Sequence, residues 1–201
     1  MRKLEAASYR SLPWKDGGGT TIEVTRSPEG SSLDDFDWRI SMARVAAAGT
    51  FSRFDDVDRS LVVLGGGALA LSVSGRAPVQ IDTSSAPLHF PGDVSVAAAL
   101  PSGPVDDFNA MTRRGRFRHL LSRLRADKSV RVTLLGDSLV LVVVAGEAEA
   151  RQGSTRVRLG ARDALIVVRG EDAVELVPTP EVELLATDLW QTAKVSPARP
   201  A

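Results

Sequence analysis

The 201-residue chain has no cysteine, only two histidines, one tyrosine, three tryptophans and six phenylalanines. Without cysteine there is no disulfide, no thiolate nucleophile and no Cys-ligated zinc. Neither acids nor bases are in excess, with 25 of each, so a uniformly basic nucleic-acid surface is not expected. The longest apolar run, Leu139 to Ala145, is too short to span a bilayer as a helix. Behind Arg2 and Lys3 there is no apolar stretch of the kind a secretory signal carries. These absences predict a cytoplasmic protein with no nucleic-acid or membrane partner.

What is present is a series of short strand patterns punctuated by glycine and proline. Between Phe36 and Arg59, Trp38, Ile40 and Met42 alternate with Arg39, Ser41 and Arg44, the period-2 pattern of a half-buried strand. Arg39 and Ser41 then offer a guanidinium and a hydroxyl side by side. An aromatic turn, Phe51-Ser52-Arg53-Phe54, follows, and Asp58-Arg59 opens the apolar run Leu61 to Leu64. These residues could line the mouth of a small β-barrel. The plainer alternative is a rim network in which Arg39 or Arg59 pairs with Asp55, Asp56 or Asp58, since structural ion pairs outnumber binding sites.

Earlier in the chain, Leu4 to Leu12 reads as a strand with Tyr9 on its buried side, and Pro13 to Thr20 contains three consecutive glycines. A phosphate loop would need a Gly-Lys-Ser/Thr ending, a buried parallel strand before it and a helix after it. None of these is there, so the loop is read as a tight connection. Arg113 to Arg125 fits either a basic amphipathic helix or a strand with Phe117, His119 and Leu121 on one side; a strand linking two halves is preferred.

The second half echoes the first. Leu139 to Gly146 parallels Leu61 to Gly65, Leu159 to Val167 parallels Phe90 to Val96, and Val182 to Thr187 parallels Phe108 to Thr112. Such a duplication predicts an all-β fold of two tandem jelly-roll barrels, residues 1–115 and 116–193, with 194–201 a frayed tail. The first half carries most of the distinctive chemistry, and the site is expected there.

Jelly-roll metal centres use two or three histidines with a carboxylate from neighbouring strands. His89 and His119 alone, without a His-x-His, do not suggest one, so neither a metal nor another cofactor is expected. His89 reads as a satisfied core or turn histidine. There is no Gly-x-Ser-x-Gly elbow, and no spacing marks a catalytic pair of carboxylates. The remaining reading is an anion pocket. Arginine takes a carboxylate bidentately, Asn109 can give and accept a hydrogen bond, and Trp14, Phe51 and Phe90 can act as walls.

Several motifs occur in a fixed order: Pro13-Trp14-Lys15-Asp16-Gly17-Gly18-Gly19-Thr20, Phe36-Asp37-Trp38-Arg39-Ile40-Ser41, Phe51-Ser52, Asp58-Arg59, Phe90-Pro91-Gly92-Asp93, and Asp107-Phe108-Asn109-x-Met111-x-Arg113-Arg114. In order and approximate spacing they resemble the HutD/Ves family. The resemblance covers nearly all of the first half and the linking segment. It implies a bicupin in the bacterial cytoplasm with a role in histidine utilisation, sensing or limiting an intermediate such as formylglutamate, and with no established catalytic activity. Ves-type members are linked instead to stress or cold response.

Residue chemistry and resemblance together nominate Trp14, Lys15, Asp16, Gly17, Gly18, Arg39, Ser41, Phe51, Ser52, Arg59, Phe90, Asn109 and Met111 as ligand-binding. Asp16 departs from the family's usual Asn, losing two donors and adding a negative charge that an anion would oppose. The expected function is therefore a metal-free binder of a small anionic or amide metabolite, in a regulatory role. The alternatives are a metal-independent cupin enzyme, with His89 or an acid moving the proton, and an interaction module dimerising through its apolar second half.

Overall fold

The structure, a computed structural model, describes residues 1–14, 18–170 and 173–192. The first half contains β1 (Arg2–Leu4), a 3-10 turn at Ala6–Ser8, β2 (Arg10–Pro13), β3 (Gly19–Ser27), β4 (Trp38–Val45) and β5 (Gly49–Thr50). It continues through β6 (Val57–Gly66), β7 (Leu69–Val73), β8 (Val79–Ile81), β9 (Leu88–Pro91), β10 (Val96–Ala99) and β11 (Val105–Arg113). The remainder is β12 (Phe117–Ala126), β13 (Val130–Val132), β14 (Ser138–Gln152), β15 (Thr155–Leu159), β16 (Ala164–Val168) and β17 (Val174–Gln191). Among the described residues there is no α-helix, and no helix long and apolar enough to cross a membrane.

The strands form three sheets. β2-β3-β4-β11-β6-β9 make a six-stranded sheet and β5-β10-β7-β8 a four-stranded one. The path β1-β16-β14-β17-β12 carries β15 on β14 and β13 on β17, completing a seven-stranded sheet. The all-β expectation holds, but no closed barrel is present among the described residues. The six-stranded sheet ends at β2 and β9, and the four-stranded sheet is not hydrogen-bonded to it.

Alternation along β4, β6 and β11 gives the six-stranded sheet two apolar faces. Trp38, Ile40, Met42, Val62, Phe108 and Ala110 pack on Leu121, Val140, Val142, Ala164, Ile166, Leu185 and Leu189 of the seven-stranded sheet. On the opposite face, Leu61, Val63 and Val105 pack with Leu69, Leu71, Val73, Val96 and Ala98 of the four-stranded sheet. A separate core of Leu139, Leu141, Ala148, Leu159, Leu165, Leu176 and Leu184 lies within the second half.

The internal echo has a physical counterpart at two glycines. Gly66 stands opposite Val105 with φ +87°, and Gly146 stands opposite Val182 with φ +79°. A Cβ at Gly66 would lie 2.2 Å from the Pro104 carbonyl oxygen, and one at Gly146 would lie 2.1 Å from that of Glu181. Each position therefore requires glycine, both for its left-handed backbone and for the close approach.

Two segments differ in instructive ways from the sequence reading. Leu4 to Leu12 is not one strand: β1 pairs with β16 of the seven-stranded sheet and β2 with β3 of the six-stranded sheet. The 3-10 turn between them lets the chain change sheets, and the Ala6 N–H donates to Asp163 Oδ1 at 3.0 Å there. Arg113 to Arg125 is largely strand β12, pairing along its length with β17. That pairing accounts for the short-period reading of Phe117, His119 and Leu121.

Candidate functional site

Three cross-strand rows place the polar residues of the first half on one face of the six-stranded sheet. One row runs Arg39, Met111, Arg59 and Phe90 across β4, β11, β6 and β9. The next is Glu23, Ser41, Asn109 and Leu61, and the third is Thr21, Ala43, Asp107 and Val63. Strand alternation thus converges residues as far apart in sequence as Thr21 and Met111.

Arg59 is the centre of this arrangement, with only 6% of its surface exposed. One terminal nitrogen, Nη2, donates to Asn109 Oδ1 at 2.8 Å, and Nη1 donates to the Ser52 carbonyl at 3.3 Å. Its Nε is buried and makes no hydrogen bond among the described residues. The guanidinium carbon lies 5.4, 5.8 and 5.1 Å from the ring centroids of Phe51, Phe54 and Phe90, within range of cation–π attraction. Burial pulls the guanidinium down to about 10, opposed by Asp107 and reinforced by the neighbouring charge of Arg39.

Asn109 Nδ2 in turn donates to Asp107 Oδ1 at 2.8 Å. Asp107 is almost fully buried. Burial pushes its carboxyl up to about 7, against the lowering influence of Arg59 and the Asn109 hydrogen bond. The Asp107–Asn109–Arg59 chain therefore links an acid near its titration point to a guanidinium with an unfilled donor. Asp107 was not among the nominated residues, although the period-2 spacing Asp107, Asn109, Met111 was visible in the sequence.

The rim network expected of Arg39 and Arg59 does not form. Arg39 Nε binds Glu23 Oε2 at 2.8 Å, and Arg26 approaches the other oxygen of Glu23 at 3.3 Å. Arg59 has no carboxylate within salt-bridge distance among the described residues. Asp55 lies by Arg53, and Asp58 binds Arg114. Arg114 also binds both oxygens of Asp93 at 2.9 Å. It thereby ties the Phe90–Asp93 turn to the end of β11, which gives two of the recurring motifs a bracing role. Gly92 completes the brace: its carbonyl accepts from the Phe54 N–H at 2.9 Å, and a Cβ there would meet Arg59 Cδ at 3.3 Å.

The other nominated residues occupy distinct places. Ser41 is buried opposite Asn109. Ser52 meets Arg59 through its carbonyl, not its hydroxyl. Met111 stands between Arg39 and Arg59 in the first row and packs with Phe36, Val57 and Phe54. Trp14 donates its indole N–H to Thr21 Oγ1 at 2.8 Å and stands against Gly19, at the β3 end of the third row. The Gly18 carbonyl accepts from the Ala46 and Ala47 N–H groups. Lys15, Asp16 and Gly17 lie outside the described residues.

The reverse face of the same strands carries a second polar cluster. His119 Nδ1 lies 2.7 Å from Thr112 Oγ1, its Nε2 lies 2.8 Å from Ser60 Oγ, and Ser60 Oγ lies 3.0 Å from His89 Nδ1. The two imidazole centroids are 5.7 Å apart. Burial, with His89 adding to it and Asp58 opposing, brings His119 down to about 4. No group of three or more His, Cys, Asp or Glu suited to a metal ion occurs among the described residues.

Comparison with known proteins agrees with the motif order. The family model described as HutD matches residues 6–186. A protein in the hutC 3′ region of Pseudomonas putida is 35% identical over 159 residues, covering 76% of this chain and 83% of that one. The protein Ves of Citrobacter koseri is 36% identical over 117 residues, covering 56% and 60%. A conserved protein of unknown function from Pseudomonas aeruginosa PAO1 superposes with a TM-score of 0.86 at 29% identity, covering 94% and 97%. HutD from Pseudomonas fluorescens SBW25 superposes at 0.77 and 29% identity, covering 96% and 99%. A cupin 2 barrel protein from Leptotrichia buccalis, 9% identical with a TM-score of 0.59 and covering 92% and 97%, shares the fold.

Proposed function

The chain belongs to the HutD family, and from that premise we propose that it binds a small carboxylate or amide metabolite at Arg59, in a regulatory role within histidine utilisation. The name of the Pseudomonas putida relative supports the pathway. In this reading each half is a cupin-like barrel, as the paired glycines Gly66 and Gly146 suggest, and the protein acts in the cytoplasm.

One observation carries the proposal: a buried guanidinium with an unfilled donor and no carboxylate bound to it. Removing a charge from water is costly unless it is paired, and a ligand carboxylate would supply the pairing. The charges nearby agree. Arg26, Arg39 and Arg59 face Glu23 and Asp107, and burial drives Asp107 toward its neutral form. The interior is thus positive, as one carboxylate requires. Asn109 suits an amide or formyl oxygen beside it, which favours a formylated amino acid such as formylglutamate. Entry requires the 51–56 segment to lift, because its aromatic residues cover Arg59.

A calorimetric and thermal-shift screen of formylglutamate, glutamate and related small carboxylates tests this. The expected result is one saturable site per chain and a rise in melting temperature with ligand concentration. Absence of stabilisation by every carboxylate at millimolar concentration would reject the reading.

The Asp107–Asn109–Arg59 chain adds a pH signature. As pH rises through about 7, Asp107 ionises and opposes an incoming carboxylate by on the order of 1 kcal/mol, about fivefold in affinity. Ligand affinity should therefore fall between pH 6 and 8 in the native protein. In Asp107→Asn, which keeps the shape, it should be flat. Titration calorimetry at several pH values reads both slopes, and a slope retained in the variant would remove Asp107 from the account.

A further inference from the structure

The six-stranded and seven-stranded sheets do not meet evenly. Between them, at the end of β4 away from Arg59, runs a groove of about 380 Å³ adjoining an inner recess of about 60 Å³. Ile22, Met42, Phe108, Val144 and Leu185 give it an apolar floor. At its mouth Arg44 Nη1 lies 3.1 Å from Asp106 Oδ1, and Arg162 Nη2 lies 3.7 Å from Asp106 Oδ2. Two guanidiniums thus share one carboxylate, leaving a net positive charge over an apolar slot.

Two backbone irregularities coincide at this place. The β11–β6 register shifts between Asp106 and Asp107, a bulge whose extra residue, Leu64 of β6, lines the groove. Arg162 has φ +69°, a conformation that glycine adopts freely and arginine does not. Its backbone is held there from both sides: its N–H donates to the Val143 carbonyl at 2.8 Å, and its own carbonyl accepts from Tyr9 Oη at 3.0 Å.

Arg44 and Asp106 are directly opposed cross-strand partners, so register alone accounts for their bond. Arg162 is different. A 3.7 Å contact from a side chain that is 46% exposed stabilises the fold very little, yet the residue occupies a strained backbone position where glycine would relieve the strain. Strain held at a cavity mouth points to use of the side chain.

We propose that this groove is a second ligand site, for a small amphipathic anion: a medium-length aliphatic carboxylate whose chain lies on the apolar floor and whose carboxylate bridges Arg44 and Arg162. It is separate from the Arg59 site, because Met42, Arg44 and Asp106 project from the opposite face of the sheet to Arg59, Asp107 and Asn109. The proposal therefore stands whether or not Arg59 binds a ligand.

Octanoate is the probe, titrated calorimetrically into the full-length native protein, Arg162→Gly and Arg59→Lys. Native protein should bind one octanoate per chain, and butyrate should bind at least about tenfold more weakly because it buries fewer methylenes. Arg162→Gly should melt at a higher temperature, since glycine relieves the backbone, and yet lose about tenfold or more in octanoate affinity. Arg162→Asn, which tolerates the same backbone and lacks the charge, should show the same loss. Arg59→Lys should bind octanoate as the native protein does. Undiminished affinity in both Arg162 variants would overturn the proposal, as would a loss confined to Arg59→Lys or no octanoate binding at millimolar concentration.

Discussion

Arg59→Lys should weaken binding of whichever carboxylate the metabolite screen selects by about tenfold or more, the equivalent of one charge-assisted hydrogen bond of roughly 1.5–3 kcal/mol. Two losses combine. Lysine has no planar fork, so it cannot hold Asn109 Oδ1 and the Ser52 carbonyl while also meeting a bidentate carboxylate. Its charge is also less secure. The burial that brings the guanidinium to about 10 would act on an ammonium whose ordinary value is already about 10.4, and the three phenylalanine rings offer it no hydrogen bond. The variant should also be less stable, because Asn109 Oδ1 or the Ser52 carbonyl is left without its donor, at about 1–3 kcal/mol for a buried unpaired group. The dissociation constant of the folded variant is therefore the decisive quantity, measured alongside its melting temperature. A constant unchanged for every carboxylate that stabilises the native protein would end the case for Arg59 as the anchor.

How far the sequence reveals this site depends on distance along the chain. Local alternation placed Arg39 and Ser41 on one face of β4 and marked Arg59 at the entry to β6, and the ordered motifs pointed to the family. Partner choice was not legible. Glu23, 16 residues before Arg39, becomes its partner through a β3–β4 register that shifts between Glu23 and Thr25. Asp37, two residues before Arg39, goes to Arg116, and the aspartates near Arg59, Asp55 and Asp58, go to Arg53 and Arg114. Asp107 shares a face of β11 with Asn109 and Met111 by alternation alone, so its direction was legible, but its burial and its link through Asn109 to Arg59, on another strand, were not. His89 and His119 looked isolated because Ser60, which joins them, lies 29 residues from one and 59 from the other. The all-β architecture had a sequence signal in its repeated strands and glycines, whereas the transfer of residues 2–4 to the second-half sheet had none.

The His119 cluster carries the other large expectation, and its sign must be separated from that of Asp107. His119 is held at about 4 in the fold against about 6.5 in the unfolded chain, so between those values the unfolded state binds more protons. Its contribution to stability is complete above pH 6.5 and is lost as pH falls toward 4, by up to about 3 kcal/mol. Asp107 runs the other way. Raised to about 7 from an unfolded value near 3.9, it binds its proton more tightly in the fold and adds stability as pH falls through the same window. The native protein's net dependence therefore conceals both groups, and the informative quantity is the stability difference between native protein and His119→Gln. Glutamine can still bridge toward Thr112 or Ser60 but does not titrate. At pH 7.5 the variant should be the less stable, having lost packing and one hydrogen bond of the chain. By pH 4.5 the difference should have moved in the variant's favour by on the order of 2 kcal/mol. Urea denaturation at both pH values measures it, and a difference that stays constant across the window would show that His119 is already charged, or free to charge, within the folded protein.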